Sequence, residues 1–144
     1  MKLDDIYAEW DKDSTIDPTE LGDESIKIPA LHNKYFKLYT SEKLLLRKFE
    51  AEMKELKLEK YEFYTQGPSK ESQDKGWDFP AKGIILKGDI PMYLDGDKDI
   101  ISLSLKIGLQ QEKIDILESI IKSLTNRGYQ IKNAIDWNRF TMGA

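Results

Sequence analysis

Between Ala30 and Thr65 the chain contains neither glycine nor proline. A stretch that long without a backbone breaker, if helical, is a rod of about 50 Å at 1.5 Å per residue. Its apolar residues support the helix. At 100° steps Leu31, Tyr35, Leu38, Tyr39, Leu45, Leu46, Phe49, Met53, Leu56, Phe63 and Tyr64 fall in one broad band. A band of that length has to be covered by another helix, from this chain or from a second copy. The spacing therefore predicts a mainly α fold organised around a long central helix.

The flanking segments fit that frame. Leu3, Ile6, Tyr7 and Trp10 follow the i, i+3, i+4, i+7 pattern of a short amphipathic helix. Asp17-Pro18 reads as an N-cap followed by a first-turn proline, with a second helix expected to stop or kink at Pro29. Residues 66–83, QGPSKESQDKGWDFPAKG, form a polar, Gly/Pro-punctuated connection with Trp77 and Phe79 available as anchors. Residues 83–94 suit short helical turns or an edge strand, and short helices are preferred. For residues 100–109 two readings compete. Ile101, Leu103, Leu105, Ile107 and Leu109 alternate like a strand, whereas Asp99 as a cap and a long proline-free run to Gly128 favour helix; helix is adopted. A short final helix with Trp137 and Phe140 is expected after Gly128.

The C-terminal helix is apolar on two faces. One stripe holds Ile100, Leu103, Ile107, Ile114 and Ile121. The other holds Ile101, Leu105, Leu109, Ile116 and Ile120, and Leu117 and Leu124 flank them. Few other long helices are expected to cover it, so self-association is the simplest supplier of the second partner. The expected organisation is one domain in three parts: a helical part at 1–66 carrying the long helix, a connection at 67–96, and an oligomerising part at 97–144.

The chemistry available is narrow. There is no cysteine and one histidine, His32, which excludes a Cys–His metal site and leaves His32 as a surface or interface residue. Asp95 to Asp99 resembles the start of a calcium loop, but Ile100 stands where the turn needs glycine and Lys106 where a bidentate glutamate is needed. Gly-rich phosphate loops are absent, so neither an enzyme nor a cofactor is expected.

Charge is more informative. Residues 1–30 carry nine acids and three lysines, whereas residues 31–60 carry eight bases and five acids. On the long helix Lys43, Arg47, Glu50, Lys54, Lys57 and Tyr61 are spaced 4, 3, 4, 3, 4, which keeps them in one stripe. Glu52, Glu55, Glu59 and Glu62 lie towards the other flank, and Lys60 sits at the edge of the apolar band. Cations that track a phosphate backbone, with aromatics on which bases stack, are what single-strand binding requires. The plainer reading is a solvated face laced by pairs such as Glu50–Lys54.

The segments LDDI, STID, SEKLLLRKFEAE, YEFYTQG, DGDKDI and RGYQIKNAIDWNRF, in this order over nearly the whole chain, resemble those of UvsY-like recombination mediator proteins of tailed phages. The resemblance implies a non-enzymatic protein of the infected host's cytoplasm. Such a protein would bind single-stranded DNA, contact the phage recombinase and the single-strand binding protein, and assemble as a ring-like homo-oligomer through its C-terminal part. It also implies a Lys-x-Arg pair for DNA contact, which aligns with Leu58 and Lys60, so that only Lys60 matches. The expected strand-binding set is Lys43, Arg47, Lys48, Lys54, Lys57 and Lys60, with Tyr61 and Tyr64 for stacking. The rival reading is a homo-oligomeric helical adaptor that never touches DNA.

Overall fold

The computed structural model describes residues 1–80 and 83–143. Among them there is no strand. The elements are α1 (Leu3–Asp13), α2 (Leu21–Gln66), α3 (Lys70–Asp74), a 3-10 turn at Lys87–Asp89, α4 (Ile90–Asp95) and α5 (Lys98–Thr141). The mainly α architecture with a short first helix and a long central one is as expected, and residues 100–109 are helical.

Three boundaries differ from the sequence reading. Helix α2 begins only at Leu21, not at the Asp17-Pro18 turn, and runs through Pro29. Pro29 has no N–H to give the carbonyl of Ser25, but both residues are exposed, so water can take that carbonyl. Helix α5 likewise runs through Gly128 without a left-handed turn. Arg127 and Ile131 on either side of that glycine are buried, and their packing outweighs the weak helix propensity of glycine. The polar connection contains α3, opened by Ser69, whose hydroxyl accepts the Ser72 N–H at 3.1 Å while the Ser72 hydroxyl accepts the Ser69 N–H at 2.8 Å. Gly67 stops α2 with φ of +86°, a value that side chains disfavour.

The chain forms two compact units, each drawing on both long helices. The first comprises Met1–Leu44 and the chain from Gln110 onward. Its core joins three helices: Ile6 from α1, Tyr35 from α2, and Leu117, Ile120 and Leu124 from α5. Each fully buried leucine there contributes about 1.5–3 kcal/mol relative to exposure. The edges of the unit are held by polar ties. Lys34 bridges Glu9 and Asp13, both at 2.7 Å, and the Tyr35 hydroxyl donates to Asp13 at 2.7 Å. Arg127 donates to the Ser14 carbonyl at 3.1 Å, and the buried Gln110 amide donates to the Glu42 carbonyl at 2.8 Å.

This core corrects the assembly expectation for part of α5. Ile114, Leu117, Ile120 and Leu124 are buried within the chain, with Ile116 and Ile121 packed against the cluster. Helices α1 and α2 supply the cover that seemed to need another copy. In the second unit Ile100 is buried, Leu103 and Ile107 are half-buried, and Ile101, Leu105 and Leu109 remain exposed at i, i+4, i+8. The apolar surface left free on α5 is therefore smaller than its sequence suggests.

The second unit spans Leu45–Leu109. Phe63 packs against Trp77 and Phe79, each with ring centroids 5.5 Å away, so those two aromatics anchor the connection as expected. Tyr64, Ile85 and Ile90 form a small core with Phe79, Tyr93 and Leu94 around it.

Candidate nucleic-acid interface

The second unit holds most of the expected ridge. Arg47, Glu50, Lys54, Lys57 and Tyr61 follow one face of α2, and all are exposed, Tyr61 by 41%. Among the described residues none of Arg47, Lys48, Lys54 or Lys57 takes part in an ion pair. The Glu50–Lys54 pair that a merely solvated face predicts is not formed. On the other flank Glu59 is occupied by Lys75 at 3.1 Å. Lys48 is exposed but lies about 100° round the helix from Arg47. Lys43 belongs to the first unit, where its ammonium stands 5.1 Å from the centre of the Tyr39 ring.

Two expected contacts are corrected. Lys60 is only 3% exposed. Its ammonium lies 2.8 Å from Asp99 and 3.1 Å from Asp97, and 3.8 Å from the centre of the Trp77 ring. Tyr64 is buried beside it and donates its hydroxyl to Asp97. Neither side chain can reach a strand without dismantling this cluster. Lys60 is a second consecutive step of 3 after Lys54 and Lys57, about 120° round the helix from Lys54, which turns it off the ridge and towards Asp97 and Asp99 at the start of α5.

Asp97 organises that cluster. Its other oxygen accepts the N–H groups of Asp99 at 2.9 Å and Ile100 at 3.0 Å, so Asp97, and not Asp99, caps α5. Burial pushes its carboxyl up, but the Tyr64 hydroxyl, the Ile100 N–H and Lys60 together hold it below the usual carboxylate range. Burial, reinforced by donation to Asp97, pushes the Tyr64 phenol well above its ordinary value of 10. The sequence carried a signal for this, since the DGDKD turn places two carboxylates at a helix start. Its partner, Lys60, is far away in the chain. Among the described residues no group of His, Cys, Asp and Glu is gathered as a metal site. No helix among them is long and apolar enough to cross a membrane.

Residues 9–144 match the family model described as "Recombination, repair and ssDNA binding protein UvsY". The chain belongs to the UvsY family. It is similar to the recombination protein uvsY of Enterobacteria phage T4, with 24% identity over 99% of both chains. Crystal structures of the bacteriophage T4 recombination mediator protein UvsY share its fold. One lattice form superposes with a TM-score of 0.81 at 21% identity, covering 98% of this chain and 99% of that one. Another gives 0.79 at 25% identity, covering 99% and 98%. Membership of this UvsY family makes the protein one of phage recombination and repair. The full-length match agrees with the whole-chain resemblance of the sequence segments.

Proposed function

We propose that this UvsY-family chain is a non-enzymatic recombination mediator that binds single-stranded DNA along the exposed face of α2. The observation that carries the reading is the row of exposed cations at Arg47, Lys54 and Lys57, without ion-pair partners among the described residues and continued by Tyr61. Lys43 and Lys48 add positive charge to the same helix. Three phosphate contacts from one copy give weak, salt-sensitive binding. A ring-like homo-oligomer would multiply them by raising effective concentration. The exposed stripe of Ile101, Leu105 and Leu109 on α5 offers one surface for such assembly.

In this reading several copies hold a strand on a tightened path. That path disfavours the phage single-strand binding protein and presents free strand to the phage recombinase, in the cytoplasm of the infected bacterium. Replacing Arg47, Lys54 and Lys57 together by alanine tests it. In a fluorescence titration with an oligo-dT strand, the slope of log affinity against log salt should flatten by about 2, at about 0.7 per phosphate lost. Mass by light scattering should not change. An unaltered slope would refute the site and return the adaptor reading.

A further inference from the structure

The first unit carries a row of aromatic side chains that its core absorbs only in part. On α2, His32, Phe36, Tyr39 and Lys43 are spaced 4, 3 and 4, and so share one face. The rings are already in register. His32 and Phe36 stack at 6.0 Å between centroids and 12° between planes. Phe36 and Tyr39 follow at 6.5 Å and 36°. The Lys43 ammonium closes the row 5.1 Å from the Tyr39 ring centre. Tyr39 leans on the core and His32 is half-buried, whereas Phe36 is 50% exposed and stands outside the core cluster.

We infer that this row is a stacking platform for the unpaired bases of a single strand, with Lys43 as its phosphate contact. The inference rests on the strand-binding reading above, deepens it, and needs only residues of the first unit. Three observations favour bases over a second copy as the occupant. Between His32 and Lys43 the other exposed residues are Asn33, Lys37, Thr40 and Ser41, polar groups that suit a wet, hydrogen-bonding surface better than a dry interface, and the exposed apolar Leu44 lies only beyond them. No acid occurs on α2 between Glu24 and Glu42, so this helix segment does not itself repel a polyanion. Among the described residues Lys43 has no carboxylate partner, and its charge remains available. Flat rings beside an unpaired ammonium are the pairing that sequence-tolerant single-strand sites use.

The test compares two strands of equal length, oligo-dT and a chain of abasic tetrahydrofuran sites, titrated against the full-length protein and its Phe36→Ala variant. The variant should lose about fivefold or more in affinity for oligo-dT. It should bind the abasic strand as the wild type does, since phosphate contacts are untouched. Phe36→Trp should restore oligo-dT affinity, and Phe36→Leu, which stays apolar but has no ring, should not. Equal affinities of wild type and Phe36→Ala for oligo-dT overturn the inference while leaving the ridge standing. So does an equal loss on both strands, or a fall in oligomer mass by light scattering, which would mark the row as an interface between copies. A wild-type protein that binds neither strand sinks the strand-binding reading and this inference together.

Discussion

Replacing Lys60 by alanine distinguishes a lysine that holds the fold from one that holds a strand. Its ammonium is clamped by Asp99 at 2.8 Å and Asp97 at 3.1 Å and lies over the Trp77 ring at 3.8 Å. Truncation removes all three contacts and leaves the buried Asp97 carboxylate without its cation. Breaking a buried pair from one side costs about 3–5 kcal/mol. Asp97 keeps three donors, the Tyr64 hydroxyl and the N–H groups of Asp99 and Ile100, so the lower end, about 3 kcal/mol, is expected. With a urea slope of about 1.5 kcal/mol/M, the midpoint of the second unit should fall by about 2 M. Urea titration followed by far-UV circular dichroism measures the shift, and hydrogen exchange should locate the loss in residues 45–109. Lys57→Ala is the control. That side chain is exposed and unpaired, so stability should stay within about 0.5 kcal/mol, while the salt slope of strand binding should flatten by about 0.7. If Lys60→Ala instead kept the wild-type midpoint and flattened the slope as Lys57→Ala does, the Lys60 ammonium would be in solvent and the reasoning would be wrong.

Two further outcomes follow from the buried titratable groups. Because Asp97 is held below its ordinary value of 3.8, the stability it contributes is present above that value and is lost as pH falls through the folded one. Asp97→Asn should therefore be less stable than wild type at neutral pH, and the gap should narrow below about pH 4; a gap independent of pH would contradict the assignment. Tyr35 and Tyr64 are both pushed up, first by burial and then by bonding to Asp13 and Asp97, so their contribution is present below the ordinary value of 10 and is lost as pH rises beyond it. Of the seven tyrosines, these two should show tyrosinate absorbance only together with alkaline loss of helix, and a single smooth titration with helix retained would refute their burial.

Elements that depend on local periodicity were legible in the sequence. Leu3, Ile6, Tyr7 and Trp10 marked α1, and the breaker-free run marked most of α2. The alternation from Ile101 to Leu109 looked strand-like because residues on two faces of one helix, Leu103 and Ile107 half-buried and the other three exposed, happen to be apolar. Stop signals read from single residues misled at Pro29 and Gly128. Solvent access at Ser25 relieved one, and the buried flanks Arg127 and Ile131 overrode the other. That Arg47, Lys54 and Lys57 share an exposed face of α2 was legible, because spacing alone decides it. The roles of Lys60 and Tyr64 were not, because their partner Asp97 is distant in the chain and only tertiary structure brings it to them. The same blindness made the apolar stripes of α5 look uncovered, although Leu117, Ile120 and Leu124 meet Ile6 and Tyr35 within the first unit.

A net charge of −4 is a poor guide to what this protein binds, because binding answers to the local field, and acids and cations are paired in some places and left free in others. Glu9 and Asp13 hold Lys34, the Glu42 carboxylate takes the N-terminal ammonium and the Gln110 amide, Glu59 takes Lys75, and Asp97 and Asp99 hold Lys60. Each such pairing shortens the reach of a negative charge, while Arg47, Lys54 and Lys57 keep theirs unspent on an exposed face. The field that a strand meets is set by that residue of unpaired groups rather than by the total. Salt then acts unequally on the two populations. Exposed cations are screened over about 10 Å at 0.1 M, whereas the Lys60–Asp97 pair, shut away from solvent, is screened much less. The same charge type therefore serves two ends in this chain. A step of three residues along α2 leads from Lys57, which ionic strength screens strongly, to Lys60, which it screens far less.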